Sequence, residues 1–401
     1  MLPFLIVAAV AVVVTAIASA IVLKLARKYG LAPQLRSRDV HQTPTPRLGG
    51  VAMFVGLLAA FAVARTQPDF APLFTDSGIM WALIGACAII AGVGILDDLL
   101  DLDWMVKLAA QFAATGLLAW NGVQIVSLPV GDTLVVASPV VNFVLTVFLM
   151  TLVMNAVNFV DGLDGLVAGV GIIVNAIFFI YTRILHDQVG GLDSITLASL
   201  IAIVIVAICA GFMPFNWHRA RMFMGDTGAL LVGLLMATST VLVTGQLNPA
   251  SLDLKLVLAA YMPIILPIAV LALPLADFSL AVIRRVRAGK SPFSADRLHL
   301  HHRLLDMGHS PVQAVIIFYL GSAVLSVAVL LVFTQDSPVL AIVVLVVGTV
   351  ITLLTLLFPL RRAKKLLAQR GLITLQGRGE SADAVNAGHP GAGASEERNS
   401  E

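Results

Sequence analysis

Apolar runs long enough to cross a lipid bilayer recur along almost the whole chain, and they decide what this sequence can fold into. Of its 401 residues, 59% are hydrophobic and only 12% are charged. A spanning helix needs about 20 mainly apolar residues, and by this criterion we expect about eleven spans. They lie near residues 2–24, 48–65, 78–96, 105–121, 138–156, 163–182, 196–213, 228–244, 256–275, 313–333 and 338–360. The sequence therefore predicts an all-α integral membrane protein.

Lysine and arginine residues are concentrated in the loops on one side of this predicted bundle. The residues concerned are Lys24, Arg27, Lys28, Arg36, Arg38, Arg47, Arg219, Arg221, Arg284, Arg285, Arg287, Lys290, Arg297, Arg303, Arg361, Arg362, Lys364 and Lys365. The opposite loops hold little more than Arg65, Arg183 and Lys255. Because positive charge marks the cytoplasmic side, we expect the N-terminus outside and the C-terminus in the cytoplasm.

Two segments outside the spans have a composition of their own. Residues 125–136 form a pattern of two short strands around Gly131 and Asp132, which is typical of a small hairpin, here on the extracytoplasmic side. The end of the chain is rich in Gly, Ala, Ser and Glu, a composition typical of disorder. We therefore expect a transmembrane domain over residues 1–365 and a disordered cytoplasmic tail over residues 366–401.

A polar run interrupts the apolar pattern between the fifth and sixth predicted spans. It carries two amides, Asn155 and Asn158, and two carboxylates, Asp161 and Asp164. On a helix, Asp161 and Asp164 would share one face. Polar groups near hydrocarbon are tolerated mainly when they pair, line a wet cavity or bind a ligand. We interpret the run as a functional site, and the alternative is a helix pair pinned by hydrogen bonds.

Three further acids stand at the predicted cytoplasmic ends of spans. Asp97 and Asp98 close the third span, and Asp226 opens the eighth. Hard oxygen ligands at a membrane edge suit Mg²⁺, which proteins usually hold together with substrate phosphates. Asp226 has a plainer alternative as an N-terminal helix cap. The pattern favours a metal site at this face.

Cationic side chains are predicted at the same face. Arg47 suits bidentate binding of a phosphate. Lys107 lies one turn inside the fourth span, where extension to the water interface is the alternative to a phosphate contact. The loop before the tenth span adds Arg297, His299, His301 and His302. The imidazoles suggest zinc, but no fourth ligand is apparent, and the neighbouring arginines favour anions.

Acids and cations thus meet at one membrane face, and this combination indicates a particular chemistry. Bare carboxylates would repel a phosphorylated substrate, whereas Mg²⁺ bridges acids to a pyrophosphate while cationic side chains cover the remaining oxygens. The sequence therefore predicts metal-assisted phosphoryl transfer between a cytosolic reactant and a membrane reactant.

Four of these motifs together resemble one family, the polyprenyl-phosphate N-acetylhexosamine-1-phosphate transferases of glycosyltransferase family 4. The motifs are Asp97-Asp98, Asn155-x-x-Asn158-x-x-Asp161-Gly-x-Asp164-Gly, Phe223-Met224-Gly225-Asp226-x-Gly228 and His299-x-His301-His302. They occur in the family's order. The run from Pro292 to His302 is more similar to the branch that starts O-antigen, teichoic acid or related surface glycans than to the lipid I branch. The family usually has Pro-Ala ahead of Phe-Met-Gly-Asp, whereas Arg219-Ala220 stands there in this chain.

The resemblance implies a fold, a reaction and partners. The expected fold is a bundle of about 11 transmembrane helices with a cleft facing the cytoplasm, in a bacterial cytoplasmic membrane. The expected reaction transfers N-acetylhexosamine 1-phosphate, most often GlcNAc 1-phosphate, from the UDP-sugar to undecaprenyl phosphate, with release of UMP. The expected cofactor is Mg²⁺, with Mn²⁺ as a substitute. The family is often dimeric, and no nucleic acid is an expected partner.

The resemblance also implies roles for single residues. Asp226 is the expected principal metal ligand, and Asp98 and Asp161 are expected to support the metal. Asp97 and Asp98 would position the lipid phosphate. Asn158, Asp161 and Asp164 would hold the donor or the metal, and Asp97, Asp98, Asp161, Asp164 and Asp226 are the expected catalytic residues. Substrate contacts are expected from Arg47, Lys107, Asn155, Asn158, Phe223, Arg297, His299, His301 and His302, with Phe223 near the uracil and Lys107 near phosphate.

Alternatives to this interpretation remain at the level of mechanism and of function. The lipid phosphate is already mostly dianionic at neutral pH, since the second pKa of a phosphate monoester is about 6. We therefore expect direct attack on the donor's β-phosphorus, and the alternatives are an Asp97 or Asp98 base or an aspartyl intermediate. The nearest other function is a lipid I enzyme that uses UDP-MurNAc-pentapeptide. An ion-coupled transporter would place its acids near the bilayer midplane, and an inactive scaffold is the third alternative.

Overall fold

The computed structural model describes residues 1–31, 45–75, 78–125, 127–130, 133–136, 138–189, 193–244, 287, 309–335 and 337–357. Numbered in chain order over these residues, the helices are α1 (Leu2–Tyr29), α2 (Gly49–Thr66), α3 (Ala71–Thr75), α4 (Ile79–Leu100), α5 (Trp104–Trp120), α6 (Pro139–Val160), α7 (Leu166–Val189), α8 (Asp193–Asn216), α9 (Gly225–Thr244), α10 (Pro311–Thr334) and α11 (Val339–Leu357). Two strands, β1 (Ser127–Val130) and β2 (Thr133–Val136), lie between α5 and α6.

The helices confirm the predicted membrane protein. Within the described ranges, nine helices are long and apolar enough to cross a membrane, namely α1, α2, α4 and α6 to α11. Helix α5 coincides with the fourth predicted span, near residues 105–121, and has 17 residues. The span predicted near residues 256–275 lies outside the described residues, as does the tail from residue 366. The chain is therefore an all-α, multi-pass membrane protein.

Polar residues immediately before several helices fix where those helices begin. The Asp103 carboxylate accepts a hydrogen bond of 2.8 Å from the Met105 backbone N–H at the start of α5. Ser138 caps α6, whose first residue is Pro139, and Ser310 forms a capping box with Gln313 at the start of α10. These side chains satisfy backbone N–H groups that have no partner inside the helix.

Helix α9 lies at the centre of the bundle. It packs against α2, α4, α6 and α8, and almost all of its residues are buried. Glycines let its N-terminal end approach two neighbours backbone to backbone. A Cβ atom on Gly94 of α4 would lie 2.5 Å from the Cα atom of Thr227, and one on Gly50 of α2 would clash with the Gly228 backbone nitrogen. Such close packing of small residues is typical of helix contacts in membranes.

The predicted hairpin is confirmed. Strands β1 and β2 pair antiparallel, with Val130 opposite Thr133 and Ser127 opposite Val136. The hairpin follows the C-terminal end of α5 and precedes the N-terminal end of α6. It therefore lies at the far ends of these two helices from Lys107 and Asp161.

Candidate active site

Five helix ends meet at one end of the bundle, and the predicted acids lie on or beside three of them, those of α4, α6 and α9. The five are the C-terminal ends of α4 and α6 and the N-terminal ends of α2, α5 and α9. Hydrogen bonds join α4 to α5, α5 to α9 and α6 to α9 at this end. Residues that are far apart in the sequence are thereby collected around the start of α9. We call the region around this group the acidic cleft, and it is defined by Asp97, Asp98, Lys107, Asn158, Asp161 and Asp226.

The Lys107 ammonium group joins two of the acids. Its Nζ atom lies 3.1 Å from Oδ2 of Asp97 and 3.0 Å from Oδ2 of Asp226. The other Asp226 oxygen accepts a hydrogen bond of 3.1 Å from the Asn158 side-chain amide. The structure therefore brings Asp226, the predicted principal metal ligand, together with three residues that were predicted to contact the substrates. These are Asp97, Lys107 and Asn158.

The Asp98 carboxylate has different hydrogen-bond partners from that of its neighbour Asp97. One of its oxygens accepts a hydrogen bond of 2.9 Å from the Asp226 backbone N–H. The other accepts bonds from the Thr227 N–H, 3.2 Å, and from the Thr227 hydroxyl, 2.6 Å. Its carboxylate thus caps the N-terminus of α9 from another helix, where the helix dipole favours negative charge.

Gly225 permits this arrangement. Its φ of 71° lies in the left-handed region, and a Cβ atom there would lie 2.6 Å from both Asp98 oxygens. The backbone of any other residue would be strained at this φ and would displace the Asp98 carboxylate. The glycine of the Phe-Met-Gly-Asp motif is therefore needed for the contact between α4 and α9.

Asp164 is held inside the protein by neighbours of the α8–α9 loop. One of its oxygens lies 3.1 Å from Nδ1 of His218 and accepts a hydrogen bond of 3.1 Å from the Ala220 N–H. The side chain is 8% exposed. Asn216 reinforces the junction, because its side chain accepts a bond from the Gly165 N–H and donates one to the Met222 carbonyl. These contacts fix the two loops that border the cleft.

Asp161 follows the last residue of α6, and its carboxyl group has a raised pKa. Removal of its carboxyl group from water raises its pKa to about 7, and the negative charges of Asp226 and Asp98 add to this rise. The Arg47 guanidinium opposes the rise. Additional positive charge in the cleft would lower this pKa again and favour the ionised form of Asp161.

Asn155 lies deeper than Asn158 and contacts α5. Its amide nitrogen donates to Oε1 of Gln111 and to the Thr151 carbonyl. Gln111 is 3% exposed and lies four residues after Lys107. Asn155 therefore ties α6 to the face of α5 that carries Lys107, one helical turn below Asn158.

Arg47 and Phe223 are placed by a short backbone pairing. The Phe223 N–H donates 2.9 Å to the Pro46 carbonyl, and the Gly49 N–H donates 3.0 Å to the Phe223 carbonyl. Arg47 lies between these paired positions. The pairing attaches the start of α2 to the loop that leads into α9, and it brings both predicted substrate residues to the acidic cleft.

Four predicted substrate residues fall outside the part of the chain that the structure describes. They are Arg297, His299, His301 and His302. Their roles stay predictions.

The acidic cleft fits a divalent cation by its chemistry. The side chains of the described residues include no group of three His, Cys, Asp or Glu arranged around a common metal position. However, Asp97 and Asp226 already hold a cation, the Lys107 ammonium, and Asn158 bonds to Asp226. Carboxylate oxygens are the donors that Mg²⁺ prefers. The assignments of Asp226, Asp161 and Asp98 as metal ligands stay predictions.

Several residues of the site were not singled out by sequence reasoning. Thr227 stands at the variable position of the Phe-Met-Gly-Asp-x-Gly motif and His218 precedes that motif, but their partners Asp98 and Asp164 lie far away in the chain. Tyr319 of α10 donates a hydrogen bond to the Gly165 carbonyl, and an isolated tyrosine in an apolar span gives no signal of this. Long-range pairs of this kind depend on how the helices pack.

Comparison with known proteins identifies the family of the chain. Residues 80–244 match the family model described as glycosyl transferase family 4. This range contains Asp97, Asp98, Lys107, Asp161 and Asp226.

Three curated relatives cover most of the chain. The decaprenyl-phosphate N-acetylglucosaminephosphotransferase of Mycobacterium tuberculosis H37Rv is 40% identical over 77% of this chain and 78% of its own length. The probable undecaprenyl-phosphate N-acetylglucosaminyl 1-phosphate transferase of Bacillus subtilis is 32% identical over 77% and 79%. The undecaprenyl-phosphate alpha-N-acetylglucosaminyl 1-phosphate transferase of Escherichia coli K12 is 28% identical over 79% and 80%. The chain therefore belongs to glycosyl transferase family 4, among the polyprenyl-phosphate N-acetylhexosamine-1-phosphate transferases.

Proposed function

We propose that this protein transfers GlcNAc 1-phosphate from UDP-GlcNAc to a polyprenyl phosphate in a Mg²⁺-dependent reaction that releases UMP. The product would be the first lipid-linked sugar of a cell-surface glycan. One observation carries the proposal. Asp226, Asp97, Lys107 and Asn158 form a single hydrogen-bonded group at the N-terminus of α9, beside Arg47 and Asp161.

This group contains both kinds of charge that phosphoryl transfer requires. Asp226 and Asp97, with Asp161, would hold Mg²⁺, which supplies positive charge to the phosphate oxygens of the substrates when bound. Lys107 and Arg47 would bind phosphate oxygens that the metal does not cover. Negative charge that develops during transfer would thus be met by side chains already fixed in place by hydrogen bonds.

The chain's own residues do not need to supply a strong base. The lipid phosphate is mostly dianionic at neutral pH and attacks the donor's β-phosphorus directly, while UMP leaves. Asp98 is then not the base, because its oxygens bind the N-terminus of α9. We propose that Asp98 and Asp164 position the helix end and the loops around the reacting groups.

The names of the relatives support the donor and the class of acceptor. All three relatives carry N-acetylglucosamine and a polyprenyl phosphate in their names. The 40% identical relative is named for decaprenyl phosphate, whereas those at 32% and 28% are named for undecaprenyl phosphate. The sequence resemblance predicts undecaprenyl phosphate, so the two lipids should be compared directly.

The proposed reaction places the acidic cleft at the cytoplasmic face of a bacterial inner membrane. The positively charged loops favour this orientation. A UDP-sugar is a cytosolic metabolite, and the lipid phosphate would reach the cleft from the bilayer. We propose the N-terminus outside and the C-terminus in the cytoplasm.

The test uses purified protein in detergent with UDP-GlcNAc, Mg²⁺ and either decaprenyl or undecaprenyl phosphate. We expect UMP and a lipid-linked product only when both the lipid phosphate and Mg²⁺ are present. Asp226→Asn should lower the rate at least about a hundredfold, because it removes a charge that cation binding requires. Asp187→Asn is the matched control, since Asp187 is an exposed acid at the end of α7 that pairs with Arg183.

Other outcomes would change the proposal in defined ways. Activity with UDP-MurNAc-pentapeptide but not with UDP-GlcNAc would keep the reaction class and replace the donor. An active Asp226→Asn variant would contradict the role given to this carboxylate. Folded protein that is silent with every UDP-sugar would favour a transporter or an inactive scaffold.

A further inference from the structure

Lys107 already occupies the position of a cation between two carboxylates. Its ammonium group lies about equally far from Asp97 and Asp226, at 3.1 Å and 3.0 Å. The Lys107 side chain is 27% exposed, whereas that of Asp97 is 7% exposed. The Asp226 side chain is 31% exposed, so the contact bridges α4, α5 and α9 and is partly open to solvent.

This geometry differs from that of a lysine that only extends to the membrane surface. A lysine one turn inside a span usually directs its ammonium group to water along an apolar surface. Lys107 instead directs it toward acids on two other helices, one of them 119 positions further along the chain. Its charge therefore serves the cleft.

The distribution of the other partners shows why this cation is needed there. Both Asp98 oxygens accept hydrogen bonds from the start of α9, and Asp164 binds His218 and Ala220. Asp97 and Asp226, by contrast, have Lys107 as their common cationic partner. Two carboxylates that share one ammonium group are stabilised in their charged form by it, and removing that positive charge increases their mutual repulsion.

We propose that Lys107 is a removable counter-ion of the metal site. In the metal-free protein it is the shared counter-ion of Asp97 and Asp226 and offsets part of their negative charge, and it leaves them when a divalent cation binds to the same oxygens. The released ammonium group then becomes available to a phosphate oxygen of the substrate. This proposal rests on the proposed function, because it assigns the two carboxylates to a divalent cation.

The proposal predicts that loss of the Lys107 charge strengthens metal binding, which a lysine that only binds phosphate would not do. A cation held 3.0 Å from a carboxylate oxygen competes directly with Mg²⁺ for that oxygen. Removing the charge should therefore tighten metal binding in the absence of any substrate, although it should impair the transfer reaction.

The experiment measures Mn²⁺ binding to the purified full-length protein in detergent, without UDP-sugar or lipid phosphate. The electron paramagnetic resonance signal of free Mn²⁺ gives the dissociation constant directly. We expect Lys107→Met to bind Mn²⁺ at least about tenfold more tightly than the wild type. Lys24→Met is the control for the loss of one charge, because Lys24 is exposed on α1. It should stay within about twofold of the wild type, since distant exposed charges are screened.

A thermal measurement supplies a second readout. In EDTA, Lys107→Met should unfold at a lower temperature than the wild type, because Asp97 and Asp226 then repel each other. Added Mg²⁺ should raise its unfolding temperature by more than it raises that of the wild type. If the methionine variant does not fold, Lys107→Gln provides the same loss of charge with a polar side chain.

The outcomes separate this proposal from the proposed function. Equal or weaker Mn²⁺ binding by a folded Lys107→Met or Lys107→Gln protein contradicts the counter-ion proposal. A failure of every variant to bind Mn²⁺ also contradicts it. The transfer assay on the wild type is run in parallel. If the wild type is active but the variant binds Mn²⁺ as the wild type does, only the counter-ion proposal is contradicted. If the wild type is inactive, the proposed transferase function is contradicted.

Discussion

The carboxylates of the acidic cleft differ in what their oxygens bind. Asp97 and Asp226 each bind the Lys107 ammonium group through one oxygen, and the other Asp97 oxygen accepts a hydrogen bond of 2.9 Å from the Leu102 backbone N–H. Asp98 binds backbone N–H groups at the start of α9, and Asp164 binds a loop N–H and His218. The first pair shares a cation that we propose is exchangeable, whereas neither Asp98 nor Asp164 contacts Lys107, and both hold backbone N–H groups of the α8–α9 region. Acids that look alike in the sequence should therefore respond differently to substitution.

Asp98→Ala tests this distinction through stability. The substitution removes the acceptor for two backbone N–H groups and the Thr227 hydroxyl. Loss of a helix cap costs up to about 2 kcal/mol, and the lost charge at a helix N-terminus adds to this cost. We expect a clearly lower unfolding temperature in EDTA, measured by intrinsic fluorescence of the protein in detergent.

The control for this prediction is Asp187→Ala. Asp187 is an exposed acid whose ion pair with Arg183, at 3.6 Å, contributes little to stability. Its unfolding temperature should match that of the wild type. An Asp98→Ala protein that is as stable as this control in EDTA, yet inactive, would show that Asp98 acts mainly on the substrates or the metal.

Among the helices, the contact between α4 and α9 depends on the absence of a side chain at one position. Gly94 faces Thr227, and the Asp98 contact lies one helical turn further along α4. Gly92 lies on the same helix, but a Cβ atom there would have nothing within 4 Å. The two glycines therefore form a matched pair for the same substitution.

Gly94→Ala should separate α4 from α9. The new methyl group would lie 2.5 Å from the Thr227 Cα atom, and a backbone atom cannot move aside as the end of a flexible side chain does. Overpacking of this kind usually costs about 1–3 kcal/mol. We expect a lower unfolding temperature and a reduced rate of UMP release, because the shift would also weaken the Asp98–Thr227 contact.

Gly92→Ala should have no such effect. Alanine favours a helix over glycine by up to about 1 kcal/mol where space is available, so stability should be unchanged or slightly higher. Equal behaviour of the two alanine variants would mean that α4 and α9 tolerate a wider separation than the structure indicates.

Sequence reasoning predicted the helices better than the contacts between them. The spans followed from hydropathy alone, because each needs only a continuous apolar run of sufficient length. The hairpin followed from local turn chemistry around Gly131 and Asp132. Asp226 and Lys107 were predicted to face the same membrane surface, but their direct pairing required the packed bundle. Asp98 as the cap of another helix was likewise not predictable, since its partner is 128 positions away.

For the molecule as a whole, the two ends of the bundle have different chemistry. One end carries the acidic cleft and the loop with Arg219 and Arg221. The other end carries the hairpin between α5 and α6 and the segment around Asp69, between α2 and α3. The positive-inside rule predicts that the first end faces the cytoplasm, where the proposed donor, a UDP-sugar, would reach Asp226.

Cysteine labelling in spheroplasts tests this orientation. The native Cys87 and Cys209 are buried, so labelling should report on an introduced cysteine. Asp69 and Arg219 are exposed and lie at opposite ends of the bundle. A membrane-impermeant maleimide should label Asp69→Cys in intact spheroplasts, but Arg219→Cys only after permeabilisation. The reverse result would place the acidic cleft outside the cell, where a cytosolic sugar nucleotide does not reach it, and would contradict the proposed reaction at the level of topology.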